Sequence, residues 1–144
     1  MKKPRIILDT NVYISAYFNP SSHSSRILSW IEKGSAELLI SDPIRKENLF
    51  ILKRIPVISK AYLFRIDSII KLATRIDPVE KVYLIRDDPD DNKFLEIARL
   101  ADYIISNDTH LLSIGLFHGC RVVTSARFVN WFLTQQRSDL SFTP

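Results

Sequence analysis

Short apolar runs alternate with longer stretches of helical periodicity along the 144 residues of this chain. Such runs are typical of strands buried on both faces. The predicted strands are 5–8, 37–40, 81–85, 103–106 and 121–124. The predicted helices are 10–18, 26–33, 43–55, 59–75, 92–101 and 126–135. Strands separated by helices predict an α/β fold in which helices cover both faces of a parallel sheet.

Acidic and hydroxyl side chains end the predicted strands or follow them closely at their carboxyl ends. These groups, in chain order, are Asp9, Ser41-Asp42, the acidic cluster 87–91, Ser106-Asn107-Asp108 and Thr124-Ser125. In open parallel sheets, ligands bind in the crevice beyond the carboxyl ends of the strands. We therefore expect this fold to bring acids from different strands together.

Each acid has two interpretations. Asp, Asn, Ser and Thr are favoured caps of helix N-termini, and acids in the first turn suit the helix dipole. Clustered carboxylates also repel one another, and a divalent cation removes that cost. Acids after three different strands favour the cation, although any one of them can be a cap.

Two positions remain open on periodicity alone. Glu47 lies three residues after Ile44 and four before Ile51, on an apolar stripe of its predicted helix, where a Glu is unusual. Asp90 and Asp91 each have three apolar residues at helical offsets, so the pattern does not choose between them.

Composition limits the functional classes. One cysteine, Cys120, excludes an intramolecular disulfide, and three glycines include no phosphate-binding loop. No apolar run suits a signal peptide or a membrane span, so the expected location is the cytoplasm. We expect one domain over residues 1–144. Twenty Lys and Arg against 16 Asp and Glu, with a pI near 9.3, are consistent with a polyanionic partner.

Four motifs in order resemble a known family. They are LDTNV after the first strand, SDPIRKENL, DPDDNKFLEIA and IISNDTHLL. Together they resemble the PIN domain, especially the prokaryotic PIN proteins that are toxin components of toxin–antitoxin pairs. The resemblance extends from about residue 5 to residue 133.

The resemblance implies a three-layer fold with a central five-stranded parallel sheet and a Mg²⁺- or Mn²⁺-dependent ribonuclease. It implies a set of metal-binding acids, namely Asp9, Glu47, Asp91 and Asp108. It prefers Asp91 to Asp90, because the family's third acid has an apolar residue three positions on and Ala seven positions on. Ser106 and Asn11 occupy its polar site positions, and Asp42 is an alternative to Glu47.

The implied function is RNA phosphodiester cleavage, as the toxin of a pair with an antitoxin protein. Arg45, Lys46 and Lys93 lie near the acids in the sequence and are candidate RNA contacts. A homodimer is expected from the family only. The alternatives are a structure-specific DNA nuclease and a non-catalytic PIN module that binds RNA or protein. Non-catalytic modules typically lose an acid, and none is lost here.

Overall fold

The computed structural model describes residues 2–78, 80–86 and 88–141 of the chain. Its strands, in chain order, are β1 (Arg5–Leu8), β2 (Glu37–Ile40), β3 (Thr74–Arg75), β4 (Tyr103–Ile105), β5 (Leu116–Phe117) and β6 (Cys120–Val123). Within the described residues they form one six-stranded sheet in the order β3-β2-β1-β4-β6-β5. Neighbouring strands pair in parallel, except that β5 runs antiparallel to β6.

Helices flank this sheet. The α-helices, in chain order, are α1 (Thr10–Phe18), α2 (His23–Glu32), α3 (Asp42–Lys53), α4 (Lys60–Leu72), α5 (Asn92–Leu95), α6 (Thr109–Leu112) and α7 (Ser125–Ser141). Two short 3₁₀ helices, Pro89–Asp91 and Ala98–Leu100, lie on either side of α5. Ser22, Ser41 and Ser59 cap α2, α3 and α4 by accepting backbone N–H bonds, as serines before helices do. No helix within the described residues is both long and apolar enough to span a bilayer.

The central strands end together at one edge of the sheet. Ile6, Ile7 and Leu8 of β1 are fully buried. Just beyond β1, the Asp9 N–H donates to the Ile105 carbonyl at 3.0 Å, and the Ser106 N–H donates to the Val123 carbonyl at 3.0 Å. These bonds extend the pairing past the strand ends and hold Asp9 and Ser106 at the same edge.

The predicted α/β class and the mostly parallel sheet are confirmed, but the strand count of five is wrong. Strand β3 has two residues, and β5 forms a short antiparallel hairpin with β6. The hairpin turn contains His118 and Gly119, both with positive φ. Two-residue strands have too little periodicity to be recognised in a sequence.

The predicted strand at 81–85 is wrong. The segment is irregular, with Val82 and Ile85 buried and the two residues between them exposed. Its backbone bonds to side chains instead of a neighbouring strand. The Val82 N–H donates to Glu96 Oε2 at 3.1 Å, and Ile85 exchanges two bonds with the Asn92 amide, at 2.8 and 2.9 Å. Side chains thus satisfy polar groups that a ladder would otherwise pair.

Several helix bounds also differ from prediction. The helix predicted at 92–101 is interrupted after Leu95, and a 3₁₀ turn follows. The helix predicted at 59–75 ends at Leu72, because Ala73 turns to an extended backbone and Thr74 pairs with β2. Helix α7 continues to Ser141, beyond the predicted 135, and α6 is absent from the predicted elements.

Candidate metal centre

Asp9 lies at the carboxyl end of β1 and is 7% exposed. Although it precedes α1, its side chain makes no capping hydrogen bond. Instead, Ser106 Oγ donates to Asp9 Oδ2 at 2.7 Å and accepts the Asp108 N–H at 2.9 Å. The Ser106 hydroxyl therefore links the acids that follow β1 and β4.

Asp91 ends the 3₁₀ helix Pro89–Asp91 and is also 7% exposed. Its Oδ2 is buried with no hydrogen-bond partner, and its side chain does not cap α5. Asp108 differs, because its Oδ1 accepts the His110 N–H at 2.8 Å and caps α6. One potential ligand atom from each of Asp91, Asp108 and His110 lies within 4.8 Å of the other two.

His110 is not among the predicted site residues. Its spacing from the other histidines fits no helical metal-binding pattern, which favours a surface residue. The side chain is exposed, and its Nδ1 lies 3.9 Å from Asp108 Oδ1. The sequence signal that could have revealed it is the Asp108-Thr109-His110 spacing directly after a buried strand.

The acids raise one another's pKa. Burial is the main cause that raises the pKa of Asp91 to about 7, and the charges of Asp88, Asp9, Asp108 and Glu47 add to it. Burial also raises the pKa of Asp9, with further contributions from Glu47 and Asp108 that the bond from Ser106 opposes. A buried carboxyl surrounded by like charges favours its proton unless a cation replaces it.

Glu47 reaches the same region from α3 and is held by two donors. Thr10 Oγ1 donates to its Oε2 at 2.8 Å, and Lys93 Nζ donates to its Oε1 at 2.5 Å. Asn48 Nδ2 in turn donates to Thr10 Oγ1 at 2.7 Å. The Glu47 and Lys93 side chains are only 21% and 13% exposed, so this ion pair is largely shielded from solvent.

Three other polar residues near the site are more exposed than Asp9 and Asp91. Asp42, the alternative to Glu47, pairs with Arg75 at 2.5 Å and is half exposed. Asp90 is exposed, unlike its neighbour Asp91. Asn11 is exposed in the first turn of α1. Asp87, the first residue of the acidic cluster 87–91, lies outside the described residues.

The candidate RNA contacts are dispersed. Lys93 directs its ammonium at Glu47, whereas Lys46 is exposed on α3. Arg45 is half-buried and lines a separate hollow with Asp67 and Arg75.

The donor set fits Mg²⁺ or Mn²⁺. Capping accounts for one oxygen of Asp108, but it does not account for the buried carboxylates of Asp9 and Asp91. Carboxylate oxygens are the preferred protein ligands of Mg²⁺, and oxygen ligands likewise suit Mn²⁺. The unpartnered Oδ2 of Asp91 is the kind of atom that such a cation would satisfy.

Comparison with known proteins agrees with the fold and the motifs. A family model described as a PIN domain matches residues 5–110. An uncharacterized protein of Methanocaldococcus jannaschii is 31% identical over 119 residues, which cover 78% of this chain and 76% of the relative.

Two solved structures share the fold. One is a chain of VapBC2 from Rickettsia felis, whose crystal structure was solved with VapBC2 bound to a DNA fragment from its own promoter. It has a TM-score of 0.55 and 16% identity, over 83% of this chain and 98% of that one. The other is PAE2754 from Pyrobaculum aerophilum, with a TM-score of 0.56 and 9% identity, over 91% of this chain and 90% of that one. PIN domains are usually nucleases. On the family match and the shared fold, this chain belongs to the PIN-domain family.

Proposed function

We propose that this chain is a Mg²⁺- or Mn²⁺-dependent endoribonuclease and the toxin of a toxin–antitoxin pair. The observation that carries the nuclease assignment is the unpartnered, buried Oδ2 of Asp91 beside Asp9 and Asp108. An unpaired buried carboxylate among like charges costs free energy in a purely structural protein. If the site holds a divalent cation, the cation offsets this free-energy cost, which explains why the buried carboxylate is present.

Asp9, Asp91 and Asp108 would hold the cation directly, with His110 at the exposed side of the site. Ser106 orients two of these ligands at once, since its hydroxyl donates to Asp9 and accepts from the Asp108 backbone. Such supporting hydrogen bonds fix ligand geometry. When bound, the cation activates a water molecule and neutralises charge on the phosphate under attack.

Glu47 and Lys93 would act together beside these ligands. Thr10 and Lys93 occupy one oxygen of Glu47 each, so Glu47 acts through a bridging water or after it releases Lys93. The ammonium of Lys93 offsets the charge of Glu47 beside these acids. On release from Glu47 it would be free to contact a backbone phosphate. Asn11, exposed at the start of α1, would orient a water molecule, and Lys46 and Arg45 would contact RNA farther from the site.

The toxin assignment rests on the motif resemblance and on the shared fold with VapBC2, a toxin–antitoxin system. An antitoxin protein is accordingly the proposed partner.

The decisive assay incubates the chain with tRNA, ribosomal RNA and single-stranded DNA, each with Mn²⁺ or with EDTA. We expect RNA cleavage in Mn²⁺, no cleavage in EDTA, and none by Asp108→Asn. Cleavage of DNA but not RNA would instead support the structure-specific DNA nuclease. Absence of cleavage of every substrate would contradict both.

Toxicity is tested separately by inducing the chain alone in a bacterial host. Growth should slow with the wild type and continue with Asp9→Asn, which deletes a ligand charge at constant volume. Equal arrest by both forms would contradict a toxin that acts by cleavage.

A further inference from the structure

A groove between α7 and the β5–β6 edge of the sheet has no role in the chemistry described above. Its volume is about 760 Å³. Its lining includes Tyr103, Phe128 and Trp131, together with Arg121, Arg127 and Thr124. It therefore combines aromatic faces with guanidinium groups along one depression.

The aromatic side of the groove is a packed platform. The Trp131 ring lies 4.9 Å from the Tyr103 ring and 5.7 Å from the Phe128 ring. Phe128 is buried beneath, whereas Trp131 and Tyr103 are partly exposed. Rings held by their neighbours in this way lose little entropy when a flat ligand stacks on them.

The polar side of the groove is cationic. Arg121 and Arg127 are exposed, and neither guanidinium forms an ion pair within the part of the chain that the structure describes. The described lining residues of the groove include no Asp or Glu. Both charges are thus available to an anionic ligand.

A smaller hollow extends the cationic surface past Trp131. It shares Tyr103, Arg121 and Trp131 with the groove and adds Lys2 and Lys3. Asp102 also lines it, but Asp102 Oδ2 already accepts the Arg5 N–H at 2.8 Å.

Residues that line the groove are joined by backbone hydrogen bonds to residues of the candidate metal centre. Thr124 directly follows Val123, whose carbonyl accepts the Ser106 N–H. Leu112, which also lines the groove, donates its N–H to the Asp108 carbonyl at 2.9 Å. A chain lying in the groove would therefore run towards the edge of the sheet where the acids meet.

We propose that this groove binds single-stranded RNA, with a base stacked on Trp131 and backbone phosphates on Arg121 and Arg127. The inference rests on the proposed function, because it names the conformation of the substrate that the acids would cut. Aromatic faces interleaved with unpaired cations are the features by which proteins hold single strands without reading sequence. A duplex hides its base faces and would gain only the phosphate contacts.

The first test measures binding in EDTA, so that no cleavage takes place. The probe is a fluorescein-labelled, unstructured oligoribonucleotide of about 12 nucleotides, followed by anisotropy. Arg121→Gln/Arg127→Gln should bind more weakly, and the slope of log K against log salt should fall by about 0.7 for each phosphate that these arginines no longer neutralise. Lys60→Gln/Arg137→Gln removes the same charge from exposed positions outside the groove and should bind like the wild type.

The second test uses the tryptophans as reporters. The chain has two, Trp30 and Trp131, so Trp30→Phe leaves only the groove indole and Trp131→Phe leaves only the other. RNA should quench the emission of Trp30→Phe and leave that of Trp131→Phe unchanged. Trp131→Leu should bind the oligoribonucleotide roughly fivefold to a hundredfold more weakly. Melting curves check that each variant is folded.

These results separate the groove from the nuclease assignment. Three results would each contradict RNA binding in the groove, even if the chain cleaves RNA in Mn²⁺. They are equal binding by the two double variants, no quenching in Trp30→Phe, and equal affinity for a duplex of the same sequence. Weakened binding together with Trp131 quenching would support the groove, even if no cleavage is found.

Discussion

At the amino ends of the central strands acidic side chains have close partners, whereas at the carboxyl ends they crowd together. Glu37 pairs with Arg5 Nε at 3.0 Å and accepts from Thr74, and Asp102 accepts the Arg5 N–H. Beyond the carboxyl ends, Asp91 is buried with one unpartnered oxygen and a raised pKa. The first arrangement stabilises the fold. The second destabilises it without a cation, and strongly perturbed groups of this kind are typical of functional sites.

The largest expected difference between the two ends is in catalysis. Asp91→Asn should lower Mn²⁺-dependent RNA cleavage by about a thousandfold, because losing a ligand removes several kcal/mol of charge stabilisation. Asp102→Asn makes the same chemical change at the amino end, away from the acids that would hold the cation, and should cleave at the wild-type rate once the RNA is saturated with protein. Single-turnover rates on one RNA measure both. Similar losses in the two variants would remove the distinction between the ends.

A second difference is in the response to metal. Binding to the folded state alone stabilises it by roughly 2.7 kcal/mol at a hundredfold excess over Kd, or several degrees in melting temperature. The wild type and Asp102→Asn should therefore melt several degrees higher in millimolar Mn²⁺ than in EDTA. Asp91→Asn should gain little from Mn²⁺. In EDTA it should melt at or above the wild type, because one repelling charge is gone. Lower stability of Asp91→Asn in both conditions would instead indicate a structural acid.

A third difference is in pH dependence without metal. The pKa of Asp91 is raised from 3.8 to about 7 in the folded chain. Between these two pKa values the folded state therefore keeps a proton that the unfolded state releases. The contribution of Asp91 to the free energy of unfolding is largest below the unfolded pKa and is lost as the pH rises through about 7. In EDTA the wild type should lose more melting temperature between pH 5 and pH 7.5 than Asp91→Asn does. Parallel curves for the two proteins would contradict the raised pKa.

The smallest expected effect is at the amino end itself. Asp102→Ala removes the acceptor of the Arg5 N–H at an exposed position, which should cost about 0.5–1 kcal/mol. The melting temperature should fall by roughly 1–4 °C, equally in EDTA and Mn²⁺, with no change in the cleavage rate at saturating protein. A metal-dependent change in this variant would show that the two ends are coupled.

The sequence predicts the central strands well and the edges of the sheet poorly. Strands β1, β2, β4 and β6 lie within one residue of prediction, because short Ile, Leu and Val runs between polar flanks are characteristic of buried parallel strands. The run at 81–85 has the same composition, but Glu96 and Asn92 bond its backbone. Hydrogen bonds from side chains elsewhere in the chain leave no periodic signal.

Some features of the candidate site can likewise be predicted from the sequence, and others cannot. Asp9 directly follows a predicted strand, Ser106 ends another, and Asp108 lies two residues beyond Ser106, so the order of strands and acids indicates a common edge. The contact of Lys93 with Glu47 joins residues 46 positions apart, and the groove depends on α7 packing beside β6. These features come from tertiary packing, which one sequence pattern does not encode.

The most direct test of the central claim is a Mn²⁺ titration followed by the electron paramagnetic resonance signal of the free ion. We expect saturable binding to the wild type and to Asp102→Asn, and a large loss of affinity in Asp91→Asn. Binding that Asp91→Asn retains in full, or no saturable binding up to about 10 mM, would contradict a metal centre formed by these acids.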